Sequence, residues 1–92
     1  MATELQKQQA WAKAVDHPDF PGGLVKIDAY GKIMVWSEHG TQTDFGWEID
    51  HELPKSLFAN LANTPLNLRA LHWTNNRAKG NKIDPNSLSR YM

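Results

Sequence analysis

An α+β fold follows from three features of these 92 residues. The chain opens on a run of helix formers, TELQKQQAWAKAV. Its middle holds FGWEID, where apolar and polar residues alternate, the period of a strand with one buried face. Near the end, HWTNNRAKG reads as a second helix, with Gly80 as its stop.

The first helix starts at Thr3, a good N-cap, and an apolar stripe of Leu5, Trp11, Ala12 and Val15 is expected along it. It must end before HPDFPGG, whose two prolines and two glycines break helices. Two short β-like runs follow, Leu24–Ile27 and Lys32–Trp36, with a turn at Tyr30–Gly31. HGTQTDFG is a polar loop, and FGWEID is a strand burying Phe45, Trp47 and Ile49. Beyond Pro54, Leu57, Phe58 and Leu61 have helical spacing and predict a short helix. Leu66, Leu68 and Ala70 then alternate with Asn67, Arg69 and Leu71 in a short strand or extended turn. In the next helix Thr74 is a candidate N-cap and Lys79 stands in the last turn. Asp84 and Pro85 suit the start of one more helical turn.

A chain of this length makes one domain, 1–92, with no internal repeat and no long linker. It has no cysteine, which excludes disulfides and thiolate zinc sites. No apolar run approaches a membrane span and no secretory leader opens the chain, so a cytoplasmic protein is expected. A monomer or weak dimer is expected. Net charge is zero, but unevenly spread. Residues 1–52 carry four bases and nine acids, whereas residues 53–92 carry six bases and one acid. Two explanations stand: an anionic partner for the C-terminal half, or neutralisation of one half by the other within the fold.

Between residues 50 and 82 lie the groups that phosphodiester hydrolysis needs. Water must be deprotonated near neutral pH, a task suited to histidine. A hard divalent ion, held by a carboxylate and an amide oxygen, can stabilise the charge on the phosphate. WEIDHELP, then NLRAL, then NNRAKG supply these types in order, and the ordered set resembles the HNH nuclease motif over about residues 45–82. YGKIMVWSEHG also resembles the region before that motif in small stand-alone HNH proteins. The resemblance implies a ββα-metal (HNH/His-Me finger) core, to which the N-terminal helix and a small extra β element are added. It implies a metal-dependent endonuclease acting on DNA, with RNA as an open alternative, or an HNH-like binding module without catalysis.

By the same resemblance, Asp50 and Asn76 are metal ligands for Mg²⁺ or Mn²⁺ and His51 is the general base. Asn67 hydrogen-bonds the connecting loop and holds His51 in place. Lys55, Arg69, Arg77, Lys79 and Lys82 face nucleic-acid phosphates. Two departures stand out. The CxxC pairs that bind structural zinc in many members are missing, with His72 and Asn75 where two such cysteines often lie, so no structural zinc is expected. The loop after the Asp-His pair, often glycine-rich, is here KSLFANLANTP. His72 packs or binds phosphate, with a metal site shared with His51 as the alternative; Glu48 is a partner of the site or a solvated carboxylate, and the four tryptophans belong to the core. Neighbouring strand residues point to opposite faces. Asp50 and His51 can serve one site only if the alternation breaks there and both converge with Asn76.

Overall fold

In the computed structural model, which describes residues 2–89, Thr3 caps the first helix. Its hydroxyl accepts from the Gln6 amide, and the Gln6 side chain accepts from the Thr3 amide, a reciprocal pair that satisfies two otherwise unpaired donors. Helix α1 runs Glu4–Ala12. Only Ala10 and Trp11 of it are buried, and Leu5 and Val15 are 62% and 68% exposed. The expected stripe is not formed: Leu5 and Ala12 lie in the helix but stay exposed, and Val15 falls outside it because the helix ends at Ala12. Val15 continues instead into strand β1 (Val15–Asp16), which the sequence reading did not foresee.

β1 pairs antiparallel with β2 (Val25–Ile27), and β2 with β3 (Ile33–Val35), giving sheet order β1-β2-β3. The turn at Tyr30–Gly31 is present, with Gly31 at φ 91° and both Tyr30 and Lys32 amides donating to Asp28 Oδ1. A second antiparallel sheet joins β4 (Trp47–His51) to β5 (Leu68–His72), in a register from Trp47 opposite His72 to His51 opposite Leu68. Helix α2 (Trp73–Lys79) follows β5 directly, and α3 (Pro85–Ser89) comes last, started as expected by Asp84, whose Oδ1 accepts from the Asn86 amide. Among the described residues the fold is thus α+β, with three helices and two small antiparallel sheets.

The core centres on Trp11, Met34, Trp47 and Ala70, with Ala14, Trp36 and Ile49 packed around them. Trp11 and Trp47 rings lie 4.7 Å apart, and Trp36 stands 5.6 Å from each, close enough for aromatic contact beyond simple burial. α1 covers the face of the β4–β5 sheet that carries Trp47 and Ala70. α2 lies on the face that carries Glu48 and Asp50, both of which bond to its side chains.

Three local expectations change. Phe45 precedes β4 and is 44% exposed. The strand starts later, at Trp47, just after Gly46, which lies so close to the Thr41 carbonyl that a Cβ would clash with it. The helix expected after Pro54 is a single 3₁₀ turn, Ala59–Leu61, with Leu57 68% exposed. The cap of α2 is His72, whose ring nitrogen accepts from the Thr74 amide, so Thr74 lies inside the helix.

Candidate active site

β4 keeps its alternation through His51, whose neighbour across the sheet is Leu68. The expected break at Asp50–His51 does not occur. A two-stranded sheet is narrow, however, and this one ends at His51, so a hollow beyond its end can reach both faces. One such depression, about 370 Å³, is lined by Asp50, His51 and Asn76 together with Lys55 and Ser56. A second, about 470 Å³, shares His51 and Lys55 and adds Gln6, His39, Glu48 and Asn63. His51 therefore borders two adjoining hollows. Burial, with the Lys7 charge adding to it, holds the His39 imidazole below the ordinary histidine range.

His51 Nε2 lies 3.3 Å from Asn63 Oδ1. With that oxygen as acceptor, Nε2 carries the proton and Nδ1 is the basic nitrogen. Sequence reasoning does not find Asn63, because it falls at the end of KSLFANLAN, whose signal is the helical spacing of Leu57, Phe58 and Leu61. The backbone after His51 is held from below by Asn67, which is fully buried. Asn67 Oδ1 accepts from the Leu53 amide at 2.7 Å, and its Nδ2 donates to the Leu53 and Ala62 carbonyls. Its expected contact with the connecting loop is present.

Asp50 is 4% exposed and is held by two cations. Lys79 Nζ is 3.0 Å from Oδ1, and Arg69 Nε is 2.9 Å from Oδ2. Burial disfavours the Arg69 charge, but the Asp50 hydrogen bond and charge, with Tyr30, outweigh it and raise its pKa. Tyr30 donates to Asp84 and accepts from Arg69, and burial with the Asp84 bond raises the phenol pKa. Asn76 donates from Nδ2 to Glu48 Oε1 at 3.0 Å, which leaves its oxygen as the atom able to face a cation. Glu48, which also holds Arg77 at 3.3 Å, is thus a partner of the site.

A carboxylate and an amide oxygen are the ligand types that Mg²⁺ or Mn²⁺ takes, and such ions often rest on one or two protein groups plus water. Each Asp50 oxygen accepts one hydrogen bond and keeps further acceptor capacity. The donors therefore fit a hard divalent ion in kind, with Lys79 and Arg69 as its competitors. Among the described residues, no group of three His, Cys, Asp or Glu side chains could hold a metal ion.

No family model, curated protein or solved structure matches this chain significantly.

The five cations expected at phosphates divide into two sets. Lys55, Arg77 and Lys82 are exposed. Arg69 and Lys79 are 6% and 8% exposed and are both paired with Asp50 inside the fold. Composition showed their charge but not their acidic partner. His72 is buried between Asp44 O and Thr74 and belongs to the packing rather than to a phosphate site. Arg90 lies outside the described residues.

Proposed function

We propose that this chain is a metal-dependent endonuclease of the HNH type that hydrolyses DNA phosphodiester bonds. Its ββα-metal core would be β4, β5 and α2. The observation that carries the reading is the single depression lined by Asp50, His51 and Asn76. His51 Nδ1 takes the proton of the attacking water, and the Asn63 contact holds the ring for it. Asn67 fixes the loop that follows His51 and carries Lys55. Asp50 and Asn76 would hold the divalent ion, which supplies charge stabilisation at the scissile phosphate. Lys55, Arg77 and Lys82 are exposed and suited to flanking phosphates.

The second reading is an HNH-like module that binds nucleic acid or a protein without cleaving. The observation favouring it is the commitment of Asp50 to Lys79 and Arg69. Plasmid DNA incubated with Mg²⁺ or Mn²⁺ separates the two, with an RNA arm to test the other phosphodiester. The wild type is expected to nick DNA. His51→Ala is expected to lose about a hundredfold or more, the usual scale for a general base, and Asn76→Ala to lose activity through weaker hold on the divalent ion. Cleavage that survives both changes would sink the nuclease reading. Salt-sensitive binding with no cleavage would favour the module.

A further inference from the structure

We infer that Lys79 is the internal counter-cation of Asp50 and sets how tightly the Asp50–Asn76 pair takes a divalent ion. This rests on the metal site proposed above and adds the group that opposes its filling. The Lys79 ammonium lies 3.0 Å from Asp50 Oδ1 and 3.1 Å from the main-chain oxygen of His51. It occupies a seat made by two oxygens of consecutive residues at the end of β4. Its side chain is 6% exposed, so water screens the charge little.

Arg69 is anchored differently. It holds Asp50 Oδ2 at 2.9 Å, donates to Tyr30, and lies 4.0 Å from Glu52 and 3.9 Å from Asp84. Its planar head is shared among four partners and acts as a fixed strut. Lys79 has one carboxylate, one carbonyl and a flexible four-carbon stem. It is also the last residue of α2, followed by Gly80 at φ 54° and by exposed Asn81 and Lys82. Of the two cations, Lys79 is the one that can leave.

A divalent ion on Asp50 Oδ1 would stand within contact range of the ammonium, and repulsion between such charges in a screened-off site is strong. Ion entry therefore displaces Lys79. Affinity in the wild type is lowered by that displacement, and removing the ammonium raises it.

The test is a Mn²⁺ titration of the full chain, read by calorimetry and by paramagnetic broadening of backbone amides. Lys79→Gln is expected to bind about tenfold more tightly than the wild type, as loss of one adjacent charge implies. Lys79→Arg is expected to bind like the wild type, and Lys82→Gln, which removes an exposed charge of the same segment, to change affinity less than about twofold. A Lys79→Gln affinity equal to or below that of the wild type, with broadening still centred on Asp50 and Asn76, overturns the inference and leaves the metal site standing. Absence of broadening there in both wild type and Lys79→Gln overturns the site and the inference together. Wild-type protein gives a readout that needs no variant. The Lys79 Cε–Hε signals should move toward exposed-lysine values on Mg²⁺ saturation. Signals that stay put while the Asp50 and Asn76 amides shift would also overturn the inference.

Discussion

Asn67 carries no charge and no exposed surface, yet it joins two stretches of chain that no sheet or helix connects. Its three side-chain hydrogen bonds bind Leu53 and Ala62, on either side of the loop that carries Lys55. Replacing it with alanine strands a buried amide and two carbonyls, and each buried unpaired group costs about 1–3 kcal/mol. Asn67→Ala is therefore expected to lose about 3 kcal/mol or more of stability, read from urea unfolding. Asn67→Asp keeps the acceptor for Leu53 N–H but sets a buried carboxylate oxygen against the Leu53 and Ala62 carbonyls, so it should cost at least as much. A loss under about 1 kcal/mol for the alanine variant would mean that the loop is held by other contacts. The sequence offered Asn67 only through its place between two strands in the motif. Asn63, which touches His51 directly, had no such marker.

The β4–β5–α2 unit was the most legible part of the fold, because alternation in FGWEID and the stop at Gly80 are local signals. The helix expected after Pro54 was not realised. A single α-type bond, from the Phe58 amide to the Pro54 carbonyl, is followed only by 3₁₀-type bonds from Leu61 to Phe58 and from Ala62 to Ala59, so no α-helix propagates. Short helices are marginal without a face to bury, and here Leu57 finds none. A second illegible feature is Asp28, which is 5% exposed. Besides the Tyr30 and Lys32 amides, it accepts from the His72 amide at 3.0 Å and from Asn75 Nδ2 at 2.9 Å. It fastens the β2–β3 turn to the start of α2, across 44 residues of sequence. No local pattern announces a bond that distant. Asp28→Ala is expected to cost about 2–4 kcal/mol, since it strands buried donors. It should also speed amide exchange in α2 and the 28–32 turn more than in β4. Uniform acceleration across the chain would show that Asp28 supports the whole fold rather than this joint.

At the scale of the whole molecule, the divided charge of the chain is partly reconciled inside it. Acids of the first half meet bases of the second: Asp50 with Arg69 and Lys79, Glu52 with Arg69, and Glu48 with Arg77. No helix among the described residues is long and apolar enough to cross a membrane. The six-to-one excess of bases over acids in the second half thus overstates what a polyanion would meet. Of the five cations that the motif pointed to, Lys55, Arg77 and Lys82 are exposed, and Arg77 is shared with Glu48. Each phosphate neutralised on duplex DNA adds about −0.9 to the slope of log affinity against log salt. Three cations imply a slope of about −2.7, whereas five would give about −4.5. Binding of the wild type to a short duplex, measured between about 50 and 200 mM salt with EDTA present, is expected near the shallower value. Lys55→Gln and Lys82→Gln should each flatten it by about one, and Lys79→Gln should leave it unchanged. A slope near −4.5 that Lys79→Gln flattens would mean that DNA draws the buried cations off Asp50, and the internal pairing described here would then give way on binding.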